Sequence, residues 1–546
     1  MSDGVITSVT NLPGRPVNRR AFVGLAAAGA AVAAVGAPEI VHAAVSHAAT
    51  TSGIAARAAG PTPADWTALA KDLAGTLVRP GQAAYNTSRL LFDPRFDGQR
   101  PAGIAYVNNA HDVSTCLAFA RTFKVPFNTR CGGHNDAGWS GNTNGLIIDV
   151  SHLKTVTVSG STAVVGAGTR LIDFYNALAA KGRAVPGGSC PTVGISGVTL
   201  GGGIGVTARA YGLTCDNLVS LQIVIANGAV LDVDPSHYGD LFWACQGGGG
   251  GNFGVVTSFT FRTRPAPSVC LFSLNWPWSQ AAKVVAAWQS WAPHAPDALW
   301  SNMHLSATPD GGDPTVNVGG TYLGSVGGVA NLLNQLYAKA GSHPSSHFLS
   351  NPEPFLHAML VEAGCATIGY AACHLPWYSP GGRLTRVPQF TKSDFFTRPL
   401  SSAGIRTLLN GITALTKVHG AAGGAGGIAF DALGGAVNRV APTATAFVHR
   451  NALFDAQYTT NWNVGASSAG INNQHTWQRN FWTSMRPYAS GQAYVNYMDA
   501  DLPNFLAAYY GVNYARLSQI KGKYDPTDFF TFPQGIKPTI TVAVTG

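Results

Sequence analysis

The sequence predicts a mixed α/β (α+β) chain in two lobes, and three observations carry that prediction. Residues 103–128 read as strand, helix, strand. Two apolar runs flank Asn227-Gly228 as a hairpin. After Arg264-Pro265-Ala266-Pro267 the texture changes, with Trp276, Trp278, Trp288 and Trp291 set among helical patterns. At 546 residues the chain has room for roughly two to four domains, or two large lobes. Hydrophobic residues make up 46%, which supports a buried core and excludes global disorder. Charged residues are 11%, against about 25% in an average soluble chain, and glycine is 65 of 546 against about 7%. With no collagen period, so much glycine implies tight turns or close approach of backbone to a ligand. The net charge of +9 comes from 35 dispersed Lys and Arg with no run of five or six. That reads as a mildly basic surface, not a nucleic-acid site.

Taken in order, Asn18-Arg19-Arg20-Ala21-Phe22-Val23 precedes an uncharged, Ala/Gly-rich run to Pro38, and Val41-His42-Ala43 supplies small residues for cleavage. Residues 1–43 therefore read as a twin-arginine signal, and a secreted or extracytoplasmic location is expected. A membrane anchor is the rival reading. The run is only about 18 residues, mostly Ala and Gly, so no stable anchor is expected after cleavage. Twin-arginine export carries folded, often cofactor-loaded proteins, so a tightly held cofactor is expected too. Residues 44–84 read as a flexible leader and an N-terminal helix.

Gly103–Val107 is a strand. Asp112 then caps a helix whose Val113, Cys116, Leu117 and Ala120 share a face, and a second strand starts at Val125. Leu221–Ala226 and Ala229–Val233 form a hairpin, with Asn227-Gly228 as a two-residue type I′ turn. Thr257–Arg262 alternates as a half-buried strand should. We place one lobe at 85–266 and a second at 267–490. Within the second, Gly420–Gly427 is a loop and no phosphate cradle, because no Lys-Ser/Thr follows. Residues 491–546 carry a helix with Leu517, Ile520 and Tyr524 on one side. The eight cysteines show no CxxC spacing, so no metal site is expected. Cys365 and Cys373 are close enough in sequence to pair, or are two buried thiols.

Glycine concentrates in three stretches: Arg130–Gly141, Gly187–Gly205, and Gly247–Gly251 followed by Asn252-Phe253-Gly254. Inward-turned backbone amides of this kind suit a pyrophosphate. Gly203-Ile204-Gly205-Val206-Thr207-Ala208 fits the dinucleotide fingerprint. It lacks the preceding hydrophobic strand and the acid about 20 residues on, so a Rossmann site is rejected. No G-x-S-x-G elbow or P-loop occurs.

Joined in this order, Arg130-x-Gly132-Gly133-His134, Cys190-x-x-Val193-Gly194-x-x-Gly197 with the glycine triplet after it, Leu241-Phe242-Trp243 leading to Asn252-Phe253-Gly254, Tyr494-Val495-Asn496-Tyr497 and Lys523-Tyr524-Asp525-Pro526 are specific. The chain resembles the flavin-dependent oxidases of the berberine bridge enzyme type, within the vanillyl-alcohol-oxidase superfamily. The resemblance covers roughly residues 85–266 and 490–540 well and the middle loosely. It implies an FAD-binding domain of the PCMH type, a substrate-binding α/β domain, and a C-terminal segment returning to the FAD domain. It implies bicovalent FAD, with His134 on the flavin 8α-methyl carbon and Cys190 on C6. The cofactor-binding set it implies is His134, Cys190, Arg130, Gly132, Gly133, Asn135, Gly138, Ser140, Val193, Gly194, Gly197, Gly201, Gly202, Gly203, Gly205, Val256 and Asn496.

The reaction so implied is removal of a hydride from an alcohol or sugar C–H to flavin N5, while a base takes the hydroxyl proton and O2 is reduced to H2O2. Tyr497 is the base carried over. On a strand, Tyr494 and Asn496 would share one face and Tyr497 the other, so one tyrosine alone would face the flavin. A phenol of pKa near 10 needs a neighbouring cation or a hydrogen bond to serve as base. Many relatives have tyrosine where this chain has Asp136, which is expected to orient substrate or tune the base. Val193 stands where relatives carry a residue gating oxygen, and a valine there favours an oxidase. Trp276, Trp278, Trp288, Trp291, Tyr378 and Trp462 are candidates to line the substrate pocket, though most are core by default. A dehydrogenase with another acceptor and a non-catalytic exported binding protein are the alternatives.

Overall fold

Burial of one apolar helix face against a small sheet sets the start of the fold. The computed structural model describes residues 60–309, 311–420 and 422–539, and the expected export signal lies outside them. Helix Pro63–Asp72 opens with a capping box. Thr62 Oγ1 accepts from the Asp65 amide, and the Asp65 carboxylate accepts from the Thr62 amide. Strand β1 (Thr76–Val78) pairs antiparallel with β2 (Gly103–Tyr106). Both β2 and β3 (Phe127–Arg130) run parallel to β4 (Leu146–Asp149), which lies between them. The first sheet thus reaches into the segment read as leader.

Helix Ala110–Phe123 buries Val113, Cys116, Leu117 and Ala120, as the spacing predicts. Its cap is Asn109, not Asp112: Asn109 Oδ1 accepts from the Asp112 amide at 2.8 Å. Asp112 lies inside the first turn. Its buried carboxylate accepts from the amides of Ala74, Gly75 and Asn108, tying the helix to the segment before β1.

A second, five-stranded sheet has the order β5-β6-β10-β8-β9. It comprises β5 (Val156–Ser159), β6 (Thr162–Gly166), β8 (Leu218–Val224), β9 (Val230–Val233) and β10 (Val255–Arg262). Between β6 and β8 in the chain, β7 (Arg183–Ala184) pairs with β11 (Arg264–Pro265). The β8–β9 hairpin forms, but not on a two-residue turn. Of its two turn residues only Gly228 has positive φ, at +89°. The Gly228 amide donates to Ile225 O and the Ile225 amide to Ala229 O, which makes a three-residue loop. In β10, Thr257, Phe259 and Phe261 are buried and alternate with more open neighbours.

The third sheet is antiparallel. Its strands are β12 (Ser268–Trp276), β13 (Leu299–Ala307), β14 (Thr315–Tyr322), β15 (Ser346–Leu349), β17 (Gln389–Phe396), β18 (Gly426–Ala432) and β19 (Phe454–Asn461), ordered β15-β12-β14-β13-β18-β19-β17. A two-residue strand, β16 (Glu353–Pro354), also pairs with β12. Helices Ala281–Trp291, Val326–Ala340, Ser402–Leu415 and Ser468–Met485 accompany it. Trp276, Trp288 and Trp291 are buried core residues. Gly423 and Gly424, both with positive φ, turn the chain into β18. Cys365 and Cys373 form a disulfide, with Cα atoms 5.6 Å apart. Among the described residues no helix is long and apolar enough to cross a membrane, and no three His, Cys, Asp or Glu side chains form a metal cluster.

The C-terminal segment returns to the first lobe through a buried polar anchor. Helix Tyr514–Tyr524 buries Leu517, Ile520 and Tyr524. Lys521 Nζ donates to the carbonyls of Asn252 and Phe530 at 2.7 Å each, and pairs with Asp525 at 2.6 Å. Asn252 Oδ1 accepts from the Ile536 amide at 2.9 Å. Both charges are fully buried, so removing one strands the other. Lys521→Met is expected to cost about 3–5 kcal/mol in a denaturant titration. A loss below about 1 kcal/mol, in the range of surface ion pairs, would show that this anchor does not hold the C-terminal segment.

Candidate active site

Two glycine-rich loops touch backbone to backbone, and the functional side chains hang from that contact. The first leaves the carboxyl end of β3 as Arg130–Asp136, and the second is Gly188–Gly197. A Cβ on Gly132 would lie 2.5 Å from the Gly194 nitrogen, and one on Gly194 would lie 2.0 Å from the Cys131 sulfur. Only glycine fits at either place. The contact brings His134 and Cys190 to one hydroxyl: His134 Nε2 is 2.8 Å and Cys190 Sγ 3.8 Å from Thr192 Oγ1. His134 also stacks on Phe92, ring centroids 4.0 Å apart. Burial, and then the nearby Arg170 charge, push the imidazole down to about 3, so it is neutral. The Cys190 thiol opens onto a cavity, yet the enclosing walls hold it above its ordinary value, with the Thr192 hydroxyl acting in the opposite direction.

That cavity has a volume of 590 Å³. Of the residues named from sequence, Arg130, Gly132, Gly133, His134, Asn135, Asp136, Ser140, Cys190, Val193, Gly194, Gly197, Gly205, Val256, Asn496 and Tyr497 line it. Gly138, Gly201, Gly202 and Gly203 do not. They lie behind the wall, where Phe96, Asn496, Phe447 and Thr214 respectively leave no room for a side chain. The Arg130 guanidinium is turned to Asp149 and to the Ser88 carbonyl. Asn135 Oδ1 accepts from the Ala137 and Trp139 amides, fixing the loop. Asp136 is pushed up to about 7 by burial, and Gln389 Nε2 donates to it at 3.4 Å. None of the six aromatics expected around the substrate lines this cavity; Trp139 and Trp300 do.

Residues 494–497 form a turn, not a strand: the Tyr497 amide donates to Tyr494 O at 2.9 Å. Both tyrosines therefore line the cavity, rings edge to face at 5.0 Å. The Tyr494 hydroxyl accepts from the Gly203 amide at 2.9 Å, the Ile204 amide at 3.3 Å and Asn496 Nδ2 at 2.8 Å. The groups that act most strongly on Tyr497 include no cation. Its phenol is raised well above the ordinary value by burial, and then by Asp455, Asp431, Tyr494 and Asp136. Such a phenol keeps its proton.

The opposite wall was not read from the sequence. Cross-strand rows on β13, β18 and β19 place Asn302, Asp431 and Asp455 side by side, then His304, Ala429 and Gln457, then Ser306, Gly427 and Thr459. All but Asp455 line the cavity. Asp455 is buried, its Oδ1 without a partner. Burial raises Asp431 to about 7; burial and Asp431 together raise Asp455. Glu362, at the end of helix Phe355–Glu362, is pushed up to about 8 by burial and by Asp431. Burial lowers His304 to about 4. The available signal was alternation with polar residues on one face, as in Asn302-Met303-His304-Leu305-Ser306, where the other face is core.

Comparison with known proteins decides the family. The family described as FAD binding domain matches residues 101–234, and that described as berberine and berberine like matches residues 493–537. The chain is 36% identical over 475 residues to the FAD-linked oxidoreductase YgaK of Bacillus subtilis, covering 85% of this chain and 97% of that one. It is 30% identical over 483 residues to berberine bridge enzyme-like 23 of Arabidopsis thaliana, covering 82% and 85%. The chain belongs to the berberine bridge enzyme-like family. It is an FAD-linked oxidoreductase. Its fold matches BBE-like 1 of Physcomitrella patens with TM-score 0.77 and 30% identity, covering 87% of this chain and 99% of that one. A chitooligosaccharide oxidase matches with TM-score 0.76 and 25% identity, covering 87% and 99%. Two variants of the grass-pollen allergen Phl p 4 match at 27% identity, with TM-scores 0.73 and 0.72, covering 87% and 85% of this chain and 99% and 97% of theirs. One is described as a glucose dehydrogenase. The other, with one further isoleucine-to-valine replacement, is described as a glucose oxidase.

The cleft of this berberine bridge enzyme-like protein fits FAD. Gly133 takes φ +70°, turning the loop along the cavity wall. A Cβ on Gly197 would meet nothing within 4 Å, so the backbone there is open for a ligand to lie on. Gly197→Leu is therefore expected to fold normally by circular dichroism and to lose FAD, read as absorbance near 450 nm per chain. Full FAD occupancy in that variant would place the cofactor elsewhere.

Proposed function

We propose that the protein is an exported oxidase of a sugar or other polyhydroxylated alcohol, carrying FAD on two covalent links and passing electrons to O2. The observation that carries this reading is the meeting of His134 and Cys190 at Thr192, on the wall facing the polar rows of the third sheet. A neutral imidazole and a thiol are the nucleophiles two such links need. FAD, when bound, supplies a two-electron acceptor for the hydride of a carbinol. A wall of Asn302, His304 and Gln457 offers neutral hydrogen-bonding groups suited to hydroxyls. The sugar activities of the chitooligosaccharide oxidase and of Phl p 4 agree with that substrate class. Val193 lies on the cavity wall, and the Phl p 4 pair supports reading a valine at an oxygen gate as oxidase-type. The Cys365–Cys373 disulfide suits an oxidising compartment reached by twin-arginine export.

The base differs from the sequence expectation. Tyr497 keeps its proton and serves as a donor that orients the substrate oxygen. The proton acceptor is Asp431 on the cavity wall, raised by burial to about 7, with the buried Asp455 beside it across the strands. Below pH 7 Asp431 is protonated and cannot accept; above pH 7 it can. The value of kcat/KM is therefore expected to rise with pH through about 7. Asp431→Asn should flatten that limb and lower the rate by roughly 10²–10⁴-fold. An unchanged profile would return the role to another group.

The whole reading is tested on the purified protein. Intact mass should show one FAD increment that survives acid denaturation and is lost in the His134→Ala/Cys190→Ala variant. Sugars should drive peroxide release. Acid-released FAD would remove the covalent links, and rapid anaerobic reduction with sluggish reoxidation in air would make the protein a dehydrogenase.

A further inference from the structure

A second cavity, of 210 Å³, is lined by the Arg130–Gly132 loop that also lines the first. Its floor is a row across the first sheet: Tyr106, Asp149 and Arg130 end the parallel strands β2, β4 and β3 in register. Crevices at the carboxyl ends of parallel strands are where α/β sheets bind ligands. Arg170 and Lys154 stand at the side, and His374 and Tyr378, just beyond the Cys365–Cys373 disulfide, form the roof.

The charges in this cavity do not balance. Arg130 is 5% exposed. Its Nε is held by Asp149 and its Nη2 donates to Ser88 O, but its Nη1 is buried without an acceptor. Asp149 is satisfied in turn, since its other oxygen accepts from the Ser151 amide at 2.8 Å. Asp173 is taken up by His374, Tyr370 and Tyr378. Arg170 is left with no carboxylate among the described residues. Its guanidinium stacks on Tyr378 at 4.8 Å, and its Nη1 is buried and unpartnered. Lys154 approaches the same ring at 5.4 Å and likewise has no carboxylate. Two buried guanidinium donors and two uncompensated positive charges around one cavity are what an anion offsets. Leaving such donors unmet costs free energy that a bidentate oxygen ligand recovers.

We propose that this cavity binds a small oxyanion, a phosphate or carboxylate, between Arg130, Arg170 and Lys154. Bound there, the anion joins the disulfide-stapled segment to the loop that carries His134, because Arg170 Nη1 lies 3.2 Å from where a Cβ on Gly132 would be. The site shares the Arg130–Gly132 loop with the FAD cleft and does not depend on the substrate proposed above.

Calorimetry on the flavin-loaded protein tests this, with inorganic phosphate and malonate in separate arms at constant ionic strength and sodium chloride as control. One saturable site per chain is expected, and the tighter arm tells phosphate from carboxylate. Arg170→Gln and, separately, the exposed Lys154→Gln should each weaken binding roughly tenfold to hundredfold, and Lys154→Gln should leave flavin absorbance unchanged. Three outcomes overturn the proposal. Phosphate and malonate produce no more than chloride does. Neither substitution changes the isotherm. Or Arg170→Gln is produced without flavin, which would assign that guanidinium to the cofactor's own diphosphate.

Discussion

The structure depends on one close contact, that of the Gly132 backbone against the Gly194 backbone. The loop after β3 and the loop before helix Ile195–Leu200 approach so closely here that any Cβ at either position would overlap main chain or the Cys131 sulfur. His134 and Cys190 stand 56 positions apart, and this contact is what puts them on one threonine hydroxyl. A short β-bridge between Arg170 and Gly194, and the Leu171 amide donating to Val193 O, hold the second loop in place. The first loop is held by Asn135 folding back on its own amides.

Around that contact the protein arranges unequal electrostatics on the two sides of the cleft. The side that carries His134 and Cys190 is built from glycine backbone, a neutral imidazole and a thiol. The opposite side is a buried sheet face bearing Asp431 and Asp455 with Glu362 nearby, where the carboxylates raise one another's proton affinity. Folding accepts that desolvation because the sheet's other face is a deep apolar core containing Trp288, Phe430 and Phe454. The C-terminal segment then closes the cleft with Tyr494 and Tyr497. It is held by the Tyr494 hydroxyl on the Gly203 and Ile204 amides and by Lys521 on Asn252.

Local order was legible where one physical rule acts alone. The amphipathic helix at 110–123, the alternation in β10 and the helix face at Leu517, Ile520 and Tyr524 follow from burial of one side. The expectations that failed lost to a competing local partner. Asp112 gave up the cap to Asn109 because distant amides claim its carboxylate. Asn227-Gly228 lies within a longer loop because Ile225 accepts from Gly228. Residues 494–497 turn because Tyr494 O takes the Tyr497 amide, which turns both tyrosines toward the cavity.

By itself, the sequence determined the motif set, and the order of those motifs carried the resemblance from which the family was expected. It also determined the elements with a clear period, such as the helix at 110–123 and strand β10, because periodicity is a local property. The tertiary structure alone decided which glycines face the cleft and which, like Gly201 to Gly203, only let other residues pack. It also decided that carboxylates act on Tyr497. The physical reason is that proton affinity and access are set by neighbours brought from β18, β19 and the C-terminal turn, and cross-strand register has no signature within any one strand.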